Sequence, residues 1–175
     1  MSVTVRHWLE ADISSVLPLM RALAVFEEYI DSFAVTEAVL LANSINADVL
    51  PAVLLEQGFN TSPPNFYCLV AELESQIVGV LVYYFLPFSA SAKPELFIKE
   101  LFVTEAARGH GAGKALMRRA ALEARDAGCD GVKWTVADWN DPAKRFYESL
   151  GARANPLWIE YGLDCAGLET LAGQT

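Results

Sequence analysis

Val3 to Trp8 alternates apolar and polar positions, the period of a half-buried strand. Glu10-Ala11-Asp12 then opens a predicted helix that runs through about Glu28, with Asp12 as its N-cap. Val35 to Leu55 keeps a mostly helical pattern that Pro51 breaks or kinks. Gly58 to Asn65, which contains Pro63 and Pro64, reads as a loop. Phe66 to Leu73 and Gln76 to Phe85 are strand-like and meet at a short polar turn around Glu74-Ser75, so a hairpin is expected. A second loop, Leu86 to Pro94, is rich in Ser, Ala and Pro. It precedes Leu96 to Val103, an apolar run interrupted near its middle by the charged pair Lys99-Glu100.

Period 3.6 takes over after a cluster of glycines. Leu116, Ala120, Ala124 and Ala127 form one apolar stripe, with Met117 and Ala121 beside it and Arg118, Arg125 and Asp126 off it. Gly128 supplies the stop for this helix. Val132 to Ala137 is a predicted strand, Asp141 to Leu150 a helix and Trp158 to Leu163 a closing strand. The order predicts an α/β fold, a mixed sheet flanked by helices. No repeat or linker divides the chain, so residues 1–175 are expected to form a single domain.

Composition narrows the function without choosing it. A chain of 175 residues, 53% apolar and with mean hydropathy +0.26, can bury a substantial core. No apolar run has the length of a bilayer crossing, and the first residues enter a strand pattern without the apolar core of a signal peptide. No membrane partner is therefore expected. A formal charge of −9 disfavours nucleic acid and suits a cationic substrate, although solubility alone explains it as well. Cys68, Cys129 and Cys165 show neither metal spacing nor close pairing, which predicts reduced thiols, a cytoplasmic location and no metal.

The segment with the most chemistry is Phe102-Val103-Thr104-Glu105-Ala106-Ala107-Arg108-Gly109-His110-Gly111-Ala112-Gly113-Lys114. Glycines at alternate positions let backbone N–H groups converge without Cβ obstruction, and a helix N-terminus behind them favours an anion such as pyrophosphate. A Walker A loop does not fit, because three residues rather than four separate Gly109 from Gly113 and Ala115 stands where a magnesium-binding hydroxyl is needed. The dinucleotide fingerprint fails too, since a single residue separates Gly111 from Gly113. A turn that merely reverses the chain is the plain alternative.

Arg-Gly-x-Gly-x-Gly-Lys after a strand resembles the acyl-coenzyme A loop of the GNAT superfamily of N-acetyltransferases. The resemblance continues through Trp139-Asn140-x-Pro142-Ala143-x-x-Phe146-Tyr147-x-x-Leu150-Gly151-Ala152 and spans roughly Phe66 to Leu163. Tyr83-Tyr84-Phe85 and Ala137-Asp138-Trp139-Asn140 are most similar to the diamine (spermidine/spermine) branch. It implies a GNAT fold with central strands splayed to admit the pantetheine arm, acetyl-CoA as co-substrate and a homodimer. The implied coenzyme contacts are the backbone of Leu101, Phe102 and Val103, the turn Arg108, Gly109, His110, Gly111, Ala112, Gly113 and Lys114, and Asn140, Pro142, Ala143, Phe146 and Tyr147.

Acetyl transfer to an amine needs a base, donors for an oxyanion and an acid for the leaving thiolate. A Lys-like amine, pKa ~10.4, is neutral in about one molecule per thousand near pH 7.4. By resemblance Tyr147 faces the coenzyme sulfur as general acid; sequence alone favours a core aromatic packed beside Phe146. Glu100 is the candidate proton acceptor or amine ligand, or else an edge glutamate paired with Lys99. The diamine branch carries two consecutive acids here, and Lys99 replaces the first. Phe26 and Glu27 resemble a Tyr-Glu pair that faces the amine in that branch, with Asp31 nearby. Asn140 is also an ordinary N-cap, and Lys114 a solvated lysine. The resulting expectation is a small-molecule amine N-acetyltransferase working by direct attack in a ternary complex, with a polyamine, a diamine or a thialysine-like amino acid as acceptor. A peptide or protein amine acetyltransferase, and a non-catalytic acyl-CoA-binding regulator, are the alternatives.

Overall fold

A computed structural model describes residues 2–43, 66–87, 92–157 and 159–173. The chain divides into two units, Met1–Ala137 and Asp138–Thr175. In the first, β1 (Thr4–His7), β2 (Tyr67–Leu73), β3 (Gln76–Leu86), β4 (Glu95–Val103) and β5 (Val132–Trp134) form one sheet in sequence order. Neighbours run antiparallel except β4 and β5, which are parallel. A parallel step needs a crossover, and the helix predicted after the glycines supplies it; among the described residues this unit carries the α-helices α1 (Ile13–Phe26), α2 (Glu37–Asn43) and α3 (Ala112–Asp126).

Strand alternation sorts the core into two layers. Tyr67, Leu69, Ala71, Leu81 and Tyr83 pack with the α3 stripe Ala112, Leu116, Ala120 and Ala124. Cys68, Val70, Val80 and Val82 face the other way, onto Ile13, Val16, Leu19 and Met20 of α1 and Leu40 of α2. The β2–β3 hairpin closes with Leu73 opposite Gln76, and Glu74 and Ser75 take positive φ (52° and 64°), the requirement of a two-residue turn that matches strand twist.

Ion pairs tie β1 to both layers. Arg6 reaches Asp12 at 2.6 Å and Glu72 at 2.5 Å. Asp12 is therefore not the side-chain cap of α1: its carboxylate takes the Arg6 guanidinium and accepts from the Leu9 N–H at 2.7 Å. On the other face Glu123 is 6% exposed on the otherwise apolar stripe of α3. Burial pushes its carboxyl up, but bonds from His7 Nε2 (3.0 Å) and Arg119 Nε (2.6 Å) outweigh it and hold it below the usual carboxylate range.

The second unit holds α4 (Asp141–Ser149) and α5 (Cys165–Ala172). Helix α5 went unrecognised in the sequence, although Asp164 caps it by accepting from the Gly167 N–H at 2.8 Å. The expected closing strand is absent at residues 159–163, which join no ladder; an alternating segment needs a paired edge, and Ile159 and Tyr161 are exposed. Likewise β5 stops at Trp134 rather than Ala137. Within the predicted helix from Val35 to Leu55, Glu37–Asn43 is helical; residues 44–55 with Pro51, the Gly58–Asn65 loop, residues 88–91 of the Leu86–Pro94 loop and Trp158 lie outside the described residues.

Three helices end in one hydrogen-bond pattern. After α3 the N–H groups of Gly128 and Cys129 return to Arg125 (3.0 Å) and Ala124 (2.9 Å); after α4 those of Gly151 and Ala152 return to Glu148 (2.9 Å) and Tyr147 (3.1 Å). The αL residue is glycine in both, with φ 71° and 88°. Helix α1 closes the same way, Glu28 to Val25 at 3.3 Å and Tyr29 to Ala24 at 2.9 Å, yet its αL residue is Glu28 at φ 61°. A side chain there is strained. Glu28→Gly relieves that strain, and differential scanning calorimetry is expected to show a gain of about 0.5–1 kcal/mol, a Tm rise of about 1–4 °C. A lower Tm contradicts this account of the cap.

Candidate active site

One extra residue in β4 organises the site. Val82 pairs with Glu100 and the next residue, Tyr83, with Ile98, which leaves Lys99 as the bulged residue. Leu96 and Ile98 belong to the α3 layer, and so do Leu101 and Val103. The inward parity thus changes from even to odd across Lys99. Phe97, stacked on Tyr84 at 5.3 Å, and Phe102 lie on the α1 side. Lys99 is in phase with Phe97 and Glu100 with Phe102, so both charged side chains project to the α1 face. Without the bulge Glu100 would continue the series of Leu96 and Ile98 into the α3 core.

The end of α1 meets them there. The αL turn at Glu28 reverses the chain and brings Tyr29 across, where its hydroxyl donates to Glu100 Oε2 at 3.2 Å. Burial pushes the Glu100 carboxyl above the usual carboxylate range; the Lys99 charge and the Tyr29 bond offset part of this, and Glu27 adds to it. Glu27 itself is pushed up by partial burial and pulled back by Lys99. Tyr29 is pushed well above an ordinary phenol by burial and then by Glu100, so it remains a donor. Glu27, Tyr29, Lys99 and Glu100 therefore form one electrostatic cluster. Tyr29 was not singled out in the sequence; its only signal is an aromatic side chain directly after two acids where the helical stripe stops. Asp31 lies in the short 3-10 turn Ile30–Ser32 and is exposed.

Beyond Glu100 the strand runs to the glycine turn. The β4–β5 ladder ends at Ile98 opposite Trp134, so Leu101, Phe102 and Val103 keep β3 on one side and no strand on the other among the described residues. This is the splay expected between the central strands. After Thr104 a 3-10 turn, Glu105–Ala107, leads through extended Arg108 to Gly109 (φ 80°) and Gly111 (φ 85°). A Cβ on either glycine would meet nothing within 4 Å, so the constraint is backbone conformation rather than space. Ala112 is buried, and no side chain caps α3, so the first-turn N–H groups of Ala112, Gly113 and Lys114 are left to water or an anion. Arg108 is anchored: its Nε donates to the Val103 carbonyl at 3.3 Å, and its guanidinium lies 5.8 Å over the Phe26 ring. His110 turns inward on the loop, donating from Nδ1 to the Arg108 carbonyl at 3.1 Å, while Lys114 is exposed.

Asn140, Pro142, Ala143, Phe146 and Tyr147 belong to the second unit. Asn140 is 8% exposed and its Oδ1 accepts from the Ala143 N–H at 3.2 Å, the N-cap reading of this motif. Pro142 fits the first turn, where no N–H is missed. Lys144 pairs with Asp138 at 2.9 Å and tightens the same entry. Phe146 and Tyr147 are half-buried with ring centroids 5.3 Å apart, and the Tyr147 carbonyl receives the αL cap of Gly151-Ala152. The Phe-Tyr and Leu-Gly-Ala parts of the motif are thus one physical unit. Among the described residues no group of His, Cys, Asp and Glu could hold a metal ion.

The model of the acetyltransferase (GNAT) family matches residues 24–152, which include parts of both units. Thialysine N-epsilon-acetyltransferase of Sus scrofa is 29% identical, with 99% of each chain covered. Spermidine/spermine N(1)-acetyltransferase-like protein 1 of Homo sapiens is 30% identical over 85% of this chain, which corresponds to 20% of that protein. Among solved structures, an integron cassette protein from the mobile metagenome of V. cholerae superposes with a TM-score of 0.74 at 24% identity and covers 99% of both chains. The mixed sheet, the open β4 edge and the uncapped glycine turn now have one explanation: the chain belongs to the acetyltransferase (GNAT) family.

Proposed function

We propose that this chain moves an acetyl group from acetyl-CoA to a primary amine of a small molecule, by direct attack in a ternary complex. The observation that carries the reading is Glu100, held by Tyr29 at the start of an open strand edge that leads into the uncapped turn of α3. Leu101, Phe102 and Val103 receive the pantetheine arm as an added strand. The turn from Arg108 to Lys114 takes the pyrophosphate on its backbone N–H groups, and Asn140, Pro142, Ala143 and Phe146 complete the coenzyme contacts. Phe26 and Glu27 contact the acceptor.

The chemistry follows from these assignments. The acceptor enters as an ammonium, attracted by Glu27 and Glu100, and gives a proton to Glu100 directly or through water. A carboxyl pushed upward by burial is a better base than an ordinary one. The amine nitrogen bonds to the thioester carbonyl carbon, and a backbone N–H of β4 supports the oxyanion. The C–S bond then breaks, the Tyr147 hydroxyl protonates the leaving thiolate, and the proton that the nitrogen sheds on becoming an amide passes through water to restore the Tyr147 phenol. Products are the N-acetylated amine and the free thiol of coenzyme A. The relatives act, by their names, on thialysine and on spermidine or spermine, which supports a small diamine, polyamine or amino acid as the acceptor.

The same reading treats residues 1–175 as one catalytic domain, supported by a family match that continues from the first unit into the second. Exposed Leu157, Ile159, Tyr161 and Leu163 support association of two copies into a homodimer. Three free thiols support a cytoplasmic location.

Thiol release from acetyl-CoA over a panel of diamines, polyamines and diamino acids is expected to show turnover, and Tyr147→Phe to lower kcat by about 10²–10⁴-fold. Tight coenzyme binding with no turnover on any amine contradicts the enzyme reading, and full activity in Tyr147→Phe contradicts the acid.

Glu100→Gln separates activity from stability. In the native state Glu100 holds its proton to higher pH than in the unfolded chain, whose reference value is 4.5, so ionisation costs stability as pH rises through that window. The variant is expected to lose about 10²–10⁴-fold in kcat/KM yet to melt at a higher temperature than the wild type at pH 7. That advantage disappears below about pH 4, where both forms are neutral. A variant less stable than the wild type at pH 7 contradicts the assigned burial cost.

A further inference from the structure

The acceptor end of the site is not uniformly anionic. The β4 bulge sends two successive charged side chains, Lys99 and Glu100, to the same face, and Glu27 stands at the end of α1 close enough for the Lys99 charge to act on it. Lys99 is exposed and, among the described residues, makes no ion pair. Arg108, the neighbouring cation, is already engaged by the Phe26 ring and the Val103 carbonyl. The cluster thus offers two carboxylates and one uncommitted ammonium within a single concentration of charge.

We infer that Lys99 receives a carboxylate of the acceptor, so that the site selects zwitterionic diamino acids over diamines and polyamines. The inference rests on the acetyl-transfer reading above and specifies its substrate class. A diamino acid presents two amino groups and one carboxylate, the complement of Glu27, Glu100 and Lys99. A bare diamine meets the same two carboxylates and leaves Lys99 facing a cation, which disfavours it. A polyamine extends further positive charge toward Lys99. The bulge is essential to this geometry. In a regular strand residues 99 and 100 point to opposite faces, and no single acceptor could touch both.

The test uses the purified full chain, acetyl-CoA and pairs of acceptors that differ by one carboxylate: lysine with cadaverine, and ornithine with putrescine. The wild type is expected to show a kcat/KM at least about tenfold higher for each amino acid than for its decarboxylated partner. Lys99→Gln is expected to cut that preference about tenfold through KM, with kcat for the amino acid little changed, and Lys99→Arg to restore it. Lys99→Glu is expected to reverse the preference. Equal or better turnover of the diamines by the wild type overturns the inference, as does a Lys99→Gln effect of equal size on both members of each pair. Either of these results leaves acetyl transfer standing. Turnover of none of the four amines, nor of spermidine, overturns both.

Discussion

The site depends on a single inserted residue in β4. A strand has period two, so were Lys99 paired in a regular ladder after Ile98, Glu100 would follow Leu96 and Ile98 into the α3 core, where an unpaired carboxylate is costly. With Lys99 bulged out, the residues after it change faces together. Leu101 and Val103 fill the α3 layer, Phe102 fills the α1 layer, and Glu100 meets Tyr29. The same insertion coincides with the end of the β4–β5 ladder at Ile98, so β4 leaves β5 where its charged pair begins. One local irregularity thus places the proposed base, Glu100, beside an open backbone edge.

Two termini are brought to that strand, each by a different physical device. The glycine turn reaches its geometry through positive φ at Gly109 and Gly111, which costs a glycine little, and it leaves the first-turn donors of α3 uncapped. The end of α1 uses Glu28 in a conformation that its counterparts in the other two helix caps give to glycine. Strain at Glu28 and burial of Glu100 both oppose stability, and both sit beside the proposed acceptor site. The network around Glu123 and the Arg6–Asp12 pair anchors β1 to the opposite side of the molecule's first unit and leaves that cost concentrated at the site.

Much of this was legible in the residues. The hairpin from Phe66 to Phe85, the α3 stripe and the stop at Gly128 follow from periodicity and punctuation, which report local preferences. Arg108 to Lys114 could be separated from two other phosphate loops by spacing alone. The bulge was not legible, because an apolar run with a charged pair inside it looks alike with or without an extra residue; register depends on the partner strand. Tyr29 was missed for a related reason, since its contact spans 71 positions in sequence and depends on an αL turn at a non-glycine residue. Alternation over Trp158 to Leu163 predicts a closing strand, but the described residues 159–163 join no ladder, because alternation makes a strand only where an edge is available to pair with it. Asp12 was assigned to the wrong partner: Arg6, not the helix, claims its carboxylate.

The central claim is that Glu100, held on the α1 face of β4, takes the proton of the acceptor amine. Glu100→Ala tests it against Lys99→Ala, with amine turnover measured by thiol release and coenzyme binding measured by calorimetry as the control for a folded protein. The account predicts turnover in Glu100→Ala at least about 10²-fold below that of Lys99→Ala, while coenzyme binding persists in both. Turnover in Glu100→Ala equal to that of Lys99→Ala contradicts it.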